Sequence, residues 1–329
     1  MHESSNRREF LKTSAAAAAG AAVGSLSIAP SADAAGPGAN TYKIVGACNI
    51  KADVHWATGG VTNRPAVMWL HGGALIFGSR WNIGGIDKSF ITRLVKQGFV
   101  VVSIDYRLAP ETKLPGIIED VQDAWRWLHK SSHDLGIDPK RIATAGGSAG
   151  GYLTLTTGFC LNPRPRALAA FYGYGDITTP WYSEPYEFYR RGGLISRAEA
   201  LKSVTNEPLC EEPGGNSRGR FYMYCRQQGI WPKEVAGHDP KAEPKWFDPY
   251  CPIRNVTAKY PPTFMAHGTD DKDVPYEESK NMNDQLAKAS VAHELMTIPG
   301  AGHGFAGAKP EVLGRIVDRA VDFVRAHTI

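Results

Sequence analysis

Continuous apolar runs in this chain alternate with segments whose apolar residues recur at helical spacing. The runs predict strands buried on both faces of a sheet, at residues 66–70, 99–104, 141–145, 167–172, 263–267 and 292–298. The helical segments cover residues 86–97, 115–134, 149–161, 277–288 and 311–326. This alternation predicts an α/β fold with a doubly wound, mostly parallel sheet. Two earlier segments, 42–45 and 50–56, predict an antiparallel pair of strands.

The alternation stops between residues 173 and 255, where aromatic residues and prolines are frequent. An interval of this length without a sheet strand is too long for a plain loop in a compact domain. We expect a cap inserted over the carboxyl end of the sheet, with short helices at residues 197–204 and 216–228. The alternative is an aromatic-rich patch that only packs on a layer of helices.

The first 34 residues differ in composition from the rest of the chain. The pair Arg7-Arg8 precedes an alanine-rich apolar run at residues 15–29, and residues 32–34 match an A-x-A cleavage signal. This order is typical of a twin-arginine export signal, and it predicts the twin-arginine machinery as a partner. A mature domain of residues 35–329 is then expected in the periplasm or outside the cell. The alternative is an uncleaved membrane anchor, but the run is short and only moderately hydrophobic, so no stable anchor is expected.

Composition narrows the classes of protein that this chain fits. With 329 residues, 43% hydrophobic and 21% charged, the chain resembles ordinary globular α/β proteins. A chain of this size buries enough surface to form a core without disulfides or metals. The net charge of +4 is small, and no dense run of Lys or Arg lies outside the N-terminus. Nucleic acid is therefore not an expected partner.

The spacing of cysteines and histidines gives no sign of a metal site. The five cysteines form no C-x-x-C pair, which argues against a zinc ribbon and a dense disulfide framework. A single bridge within the set Cys210, Cys225 and Cys251 remains open. The histidines at 267, 293 and 303 lack H-x-x-x-H and H-E-x-x-H spacing, and no phosphate-loop lysine follows the glycines near residue 148. We expect neither a metal nor a cofactor.

A glycine-rich turn links a predicted strand to a predicted helix. Its sequence, Gly146-Gly147-Ser148-Ala149-Gly150, has the pattern G-x-S-x-G. A serine at such a turn has a strained backbone and a hydroxyl exposed above the sheet, and only small neighbours fit beside it. The helix that follows directs its N-terminal N–H groups to the place where negative charge develops in acyl transfer. The alternative is a turn that merely starts a helix.

Candidate partners for Ser148 lie in loops that follow other predicted strands. These loops are His71-Gly72-Gly73-Ala74, the turn with Asp270, Asp271 and Asp273, and Gly302-His303-Gly304. Ligands of doubly wound sheets bind at the carboxyl ends of the strands, so these loops are expected to meet at one site. The chain order of serine, aspartate and histidine is that of α/β-hydrolases.

Four motifs support a family resemblance that covers nearly all of residues 35–329. They are HGGA at residue 71, DYRLAPE at 105, GGSAGG at 146 and GHGF at 302. Through them the chain resembles α/β-hydrolases of the esterase and lipase group, which includes hormone-sensitive-lipase-like bacterial carboxylesterases. Two motifs depart from the usual pattern. Ala74 replaces the third glycine of HGGG, and residues 267–275 are more similar to the HG-x-x-D-x-x-VP turn of acetyl xylan esterases, feruloyl esterases and prolyl-peptidase-like hydrolases than to D-P-L-x-D-E.

The resemblance implies a catalytic role for three side chains. Ser148 attacks the carbonyl carbon, and His303 takes its proton and returns it to the leaving group. Asp271 matches the acid of the HG-x-x-D-x-x-VP turn and would hold the imidazole in the right tautomer. Asp270 and Asp273 are then expected to be turn-forming or solvated carboxylates.

The resemblance also implies an oxyanion hole built from main-chain N–H groups, those of Gly72, Gly73, Ala74 and Ala149. Because the donors belong to the main chain, alanine at residue 74 need not abolish them. His71 is expected to order its own loop, His267 to lie in the core or at a strand end, and Asp105 to brace the sheet edge beneath the site.

The implied function is hydrolysis of carboxylic esters through an acyl-enzyme, with small-molecule or carbohydrate esters as substrates. One alternative is a prolyl-peptidase-like peptidase or amidase, although no propeller-like repeat precedes the predicted domain. Another is a non-catalytic ligand-binding member of the fold, although Ser148, Asp271 and His303 are all present.

Overall fold

The computed structural model describes residues 39–56, 62–81, 83–212 and 218–329, so the predicted signal at residues 1–34 lies outside the described part. The strands are β1 Asn40–Val45, β2 Cys48–His55, β3 Arg64–Leu70, β4 Val100–Ile104, β5 Ile137–Gly147, β6 Leu168–Phe171, β7 Thr263–Gly268 and β8 His293–Ile298. They form one sheet in the order β1-β2-β4-β3-β5-β6-β7-β8.

Helices connect most of these strands. They are α1 Gly85–Lys96, α2 Leu114–Lys130, α3 Ala149–Cys160, α4 Pro180–Ser183, α5 Glu187–Arg190, α6 Arg197–Ala200, α7 Arg218–Gln228, α8 Trp231–Ala236, α9 Tyr276–Lys288 and α10 Pro310–Thr328. Short 3₁₀ turns lie at Leu201–Ser203, Pro244–Tyr250, Pro252–Arg254 and His303–Phe305. In the described part of the chain, no helix is both long and apolar enough to cross a membrane.

The sheet is mostly parallel, as predicted. Strand β2 runs antiparallel to both β1 and β4, and the remaining neighbours pair in parallel. Every residue of β3 and β4 is buried, which explains why both strands are continuous apolar runs. In β2, buried positions alternate with partly or fully exposed ones, as expected for a strand covered on one face.

Helices cover both faces of the sheet. On one face, Met68 of β3 belongs to an apolar cluster that includes Val121 of α2. On the other face, the adjacent Val67 belongs to a cluster with Phe90 of α1 and Val317 of α10. Because successive side chains of a strand point to opposite faces, these two clusters confirm the doubly wound arrangement.

The described residues between β6 and β7 contain α4 to α8 and 3₁₀ turns but no strand. The helix predicted at residues 197–204 corresponds to α6 and its adjoining 3₁₀ turn, and the one predicted at 216–228 corresponds to α7. Helix α8 was not predicted, although Pro232 in its first turn and Gly237 at its C-cap, with φ of +82°, are recognisable helix boundaries. The extent of the predicted cap, residues 173–255, remains a prediction.

One disulfide joins this inserted segment to the edge of the sheet. The bridge links Cys210 to Cys48, so a bridge within the set Cys210, Cys225 and Cys251 is wrong. Cys225 and Cys251 are buried free thiols. The partners of the bridge are 162 residues apart, and they meet because the inserted segment returns to pack on Ile50 of β2. The spacing of the cysteines along the chain does not predict this contact.

Removing the bridge by the double change Cys48→Ser and Cys210→Ser is expected to lower the free energy of unfolding by up to about 5 kcal/mol. A link that closes so long a loop restricts the unfolded chain strongly. Urea unfolding of the oxidised protein measures the effect, and Cys160→Ser, at a half-buried free thiol, is the control. Equal unfolding midpoints for the double variant and the control would contradict this expectation.

Candidate active site

Ser148 occupies a sharp turn between β5 and α3. Its φ of +57° and ψ of −121° lie outside the regions that non-glycine residues favour. The neighbouring glycines have no room for side chains, because a Cβ on Gly146 would lie 2.6 Å from the Gly150 oxygen and one on Gly150 would lie 2.0 Å from the Leu70 oxygen. The turn therefore has the strained, closely packed geometry that the sequence predicts for a serine elbow.

A chain of hydrogen-bonding distances connects the three predicted catalytic side chains. Ser148 Oγ lies 3.1 Å from His303 Nε2, and His303 Nδ1 lies 2.7 Å from Asp271 Oδ2. Asp271 follows β7, and His303 begins the 3₁₀ turn after β8. If Nδ1 carries the proton and donates it to the carboxylate, Nε2 is free to accept a proton from the serine.

Asp271 is a buried carboxylate held on both oxygens. Its Oδ1 accepts the N–H groups of Asp273 at 2.8 Å and Val274 at 2.9 Å. Burial raises the pKa of Asp271, but the charge of His303 and hydrogen bonds from His267 and His303 outweigh burial. The pKa consequently lies well below its usual value, and the carboxylate stays ionised.

His267 has a role that the sequence did not reveal. It is fully buried at the end of β7, as expected of a core residue. Its Nε2 lies 3.2 Å from Asp271 Oδ2 and 3.1 Å from the carbonyl oxygen of Val274. Because both neighbours are acceptors, Nε2 carries a proton and donates it. His267 thus holds Oδ2 of Asp271, while the N–H groups of Asp273 and Val274 hold Oδ1.

The loop at residues 72–74 lies directly against the serine elbow. A Cβ on Gly72 would be 3.4 Å from Ser148 Cβ, and one on Gly73, with φ of +110°, would be 2.1 Å from the Phe77 oxygen. Gly73 therefore needs glycine, and at Gly72 a side chain would be tightly packed against the elbow. Ala74 has φ of +53°, a left-handed conformation that costs a non-glycine residue roughly 1–2 kcal/mol.

Trp231 of α8 fixes the peptide after Ala74. Its Nε1–H donates to the Ala74 carbonyl oxygen at 3.0 Å, and both residues are buried. Ala149 is the first residue of α3, where N–H groups have no partner within the helix. The assignment of the Gly72, Gly73, Ala74 and Ala149 N–H groups to an oxyanion hole remains a prediction.

Two flanking motifs stabilise the loop that begins at His71. His71 Nδ1 lies 2.7 Å from the Gly72 oxygen, and its ring stacks on Tyr106 with centroids 4.1 Å apart. Burial lowers the pKa of His71 to about 4, so the ring is neutral. The buried Asp105 accepts the main-chain N–H of Arg80 at 2.7 Å and pairs with its guanidinium. His71 thus contacts its own loop, and Asp105 holds Arg80, which follows that loop. The expected role of Asp105 in bracing the sheet edge remains a prediction.

The remaining two aspartates of the turn differ from each other. Asp270 is exposed and pairs with Lys272, as expected of a solvated carboxylate. Asp273 lies in the same turn, but its side chain is only partly exposed and has partners that the sequence did not indicate. Its Oδ1 accepts hydrogen bonds from Tyr189 at 2.6 Å and from Tyr222, both in the inserted segment. Sequence reasoning missed these contacts because the tyrosines come from residues about 50 to 80 positions away.

Arg226 of α7 completes the environment of Asp273. The guanidinium is fully buried, and Nη1 donates to Asp273 Oδ1 at 2.8 Å and to its carbonyl oxygen at 3.0 Å. Five aromatic rings surround the guanidinium, with centroids 4.8 to 5.7 Å from its central carbon. These rings belong to Trp181, Tyr182, Tyr186, Tyr189 and Tyr222.

Asp273 also reaches the candidate base. Its Oδ2 lies 3.5 Å from His303 Nε2. Burial lowers the pKa of His303, but the charges of Asp271 and Asp273 outweigh burial and the opposing charge of Arg226. Together they raise the pKa of His303 from 6.5 to about 9.

A doubly wound sheet with a serine elbow after β5, an aspartate after β7 and a histidine after β8 is the architecture of an α/β hydrolase. The chain belongs to the family described as alpha/beta hydrolase fold, whose model matches residues 67–307. Residues 4–24 match the signal sequence of the twin-arginine translocation pathway, which indicates export and confirms the predicted signal. Both matches agree with the resemblance found in the sequence.

Several known proteins are similar to this chain. Esterase LipC of Mycobacterium tuberculosis is 28% identical over 242 residues, covering 73% of this chain and 53% of LipC. The non-reducing polyketide synthase ausA of Penicillium brasilianum is 28% identical over 317 residues, 80% of this chain and 13% of the synthase. A structure of a Staphylococcus aureus protein with unknown function has a TM-score of 0.69 at 24% identity, covering 86% of this chain and 96% of that chain. The chain thus spans about half the length of LipC and a small part of the synthase.

Proposed function

We propose that this exported α/β hydrolase cleaves carboxylic esters through an acyl-enzyme, with Ser148, His303 and Asp271 as its catalytic triad. The observation that carries the proposal is the continuous hydrogen-bonded path from Ser148 Oγ to the buried Asp271 carboxylate. The name of LipC, an esterase, supports ester substrates.

The proposed reaction has two halves. In the first, His303 Nε2 takes the proton of Ser148 as Oγ bonds to the carbonyl carbon, and N–H groups of Gly72, Gly73, Ala74 and Ala149 stabilise the oxyanion. His303 then protonates the leaving alcohol oxygen as the C–O bond breaks. In the second half, His303 takes a proton from water as the water oxygen bonds to the acyl carbon. The bond between that carbon and Ser148 Oγ then breaks, His303 returns the proton to Oγ, and the carboxylic acid leaves.

The alcohol part of the substrate is proposed to be a small molecule or a carbohydrate. Asp273 places a carboxylate beside His303, where a leaving alcohol would lie, and the phenols of Tyr189 and Tyr222 bond to that carboxylate. Phenol rings and hydrogen-bond acceptors suit a hydroxylated alcohol better than a long apolar chain.

Hydrolysis of p-nitrophenyl acetate by the purified mature protein tests the ester proposal. We expect turnover of the ester and little or no release of aniline from aminoacyl anilides. No ester hydrolysis by correctly folded protein would refute the proposal. Faster cleavage of the anilides than of the ester would instead indicate a peptidase or amidase.

The raised pKa of His303 predicts an alkaline activity profile. The base must be neutral to accept the serine proton, so activity should fall as pH drops below about 9, where the imidazole gains a proton. We expect kcat/KM for p-nitrophenyl acetate to rise with pH through an apparent pKa near 9. Asp270→Asn, on the exposed side of the turn, should leave this midpoint unchanged. A midpoint at or below 6.5 for the wild-type protein would contradict the proposed effect of the two carboxylates.

A further inference from the structure

The two oxygens of Asp273 have different surroundings. Oδ1 receives three donors, from Tyr189, Tyr222 and Arg226. For Oδ2, the described residues supply no hydrogen bond, and His303 Nε2 lies 3.5 Å from it. The side chain is 22% exposed, so the protein does not enclose it fully.

This arrangement is unusual for a carboxylate that only holds helix α7 in place. A structural Arg–Asp pair is frequently bidentate, with one N–H on each oxygen. Here Arg226 uses Nη1 alone on Oδ1, while its buried Nε and Nη2 have no hydrogen-bond partner in the described residues and face the aromatic rings. The interaction orients Asp273 without occupying Oδ2.

The location of Oδ2 determines what it can bind. In the proposed reaction, the leaving oxygen of the ester lies within hydrogen-bonding distance of His303 Nε2, about 2.9 Å. A hydroxyl on the next carbon of the alcohol is about one hydrogen-bond length from that oxygen. It can therefore reach Oδ2, which accepts hydrogen bonds and donates none.

From this geometry we infer that Asp273 is a specificity-determining residue that accepts a hydrogen bond from a hydroxyl group adjacent to the ester oxygen of the leaving alcohol. The substrate class is then the monoesters of vicinal diols and polyols. The inference rests on the proposed ester hydrolysis and adds the chemical feature that the site recognises. The inference also predicts poor hydrolysis of esters whose alcohol carries an anionic group at this position, since that group would face the Asp273 carboxylate.

A matched pair of substrates tests the inference on the unmodified protein. 2-Hydroxyethyl acetate carries the donor, and in 2-methoxyethyl acetate a methyl group replaces only the donor hydrogen. We expect kcat/KM to favour the hydroxyl substrate by about tenfold or more, as is typical for a hydrogen bond to a charged group. Equal values would overturn the inference, and only the absence of hydrolysis with every acetate, p-nitrophenyl acetate included, would refute the esterase proposal itself.

The variant Asp273→Asn provides a second test of the inference. Three donors converge on Oδ1, so the asparagine oxygen takes that position and its NH₂ group replaces Oδ2. The acceptor becomes a donor, and the preference for the hydroxyl substrate should fall to about one or reverse. The ratio of two substrates within one variant cancels any common change in His303 or in folding. Asp270→Asn, a matched change at the exposed carboxylate, should keep the wild-type ratio.

Acetylcholine separates hydrogen bonding from charge attraction. Its leaving group is cationic but has no N–H or O–H donor. We expect kcat/KM for acetylcholine to stay below that for 2-hydroxyethyl acetate. A clear preference for acetylcholine, or an unchanged substrate ratio in Asp273→Asn, would overturn the inference.

Discussion

Replacing Ser148 by alanine is expected to lower kcat for p-nitrophenyl acetate by about 10⁵- to 10⁶-fold, the loss that follows removal of a catalytic serine in such triads. The change removes only Oγ. Alanine keeps the Cβ and the same backbone requirement at φ of +57°, so the elbow should keep its shape. His303 and Asp271 would remain in place but would have no nucleophile to activate.

A fluorophosphonate probe gives an independent measurement of the same expectation. It should label the wild-type protein once, on Ser148, and should not label Ser148→Ala. Ser89→Ala is a suitable control, because this exposed serine on α1 bonds to the Gly85 carbonyl oxygen of its own helix. Full activity of Ser148→Ala, or labelling of a different serine, would refute the assignment of the nucleophile.

The elements of the fold could be predicted because their causes are local. Strands buried on both faces must be continuously apolar, and helices on a sheet must carry an apolar stripe. The spacing of apolar residues along the chain therefore locates both kinds of element. The serine elbow could be found for a similar reason. Backbone atoms within 3 Å leave no room for a Cβ at Gly146 and Gly150. Glycine is therefore needed at both positions, and the G-x-S-x-G motif shows this requirement in the sequence.

The features that sequence reasoning missed depend on residues brought together by the tertiary fold. Cys48 meets Cys210 only because the inserted segment returns to the edge strand. Asp273 looks like an ordinary turn residue until Arg226 of α7 is placed beside it. Neither contact leaves a periodic or motif signal, since each depends on how the segment between β6 and β7 packs on the sheet.

Replacing Asp271 by asparagine is the second change with a large expected effect, a loss of about 10⁴-fold in kcat. The N–H groups of Asp273 and Val274 both donate to Oδ1 and therefore fix the asparagine oxygen there. The NH₂ group then faces His303 Nδ1 and can only donate. His303 must accept with Nδ1 and carry its proton on Nε2, which is the wrong tautomer for taking the proton of Ser148.

Asp270→Asn and Asp273→Asn are the matched comparisons, because all three changes exchange a carboxylate for an amide within one turn. Asp270 contacts neither His303 nor Ser148, so its variant should keep nearly full activity. Asp273 contributes charge near Nε2 but does not hold the tautomer, so its variant should lose much less kcat than Asp271→Asn. Equal losses in all three variants would show that Asp271 is not the acid of the triad. A pH profile gives a further distinction, since loss of the Asp271 charge should lower the apparent pKa of His303, whereas local unfolding would reduce activity at every pH.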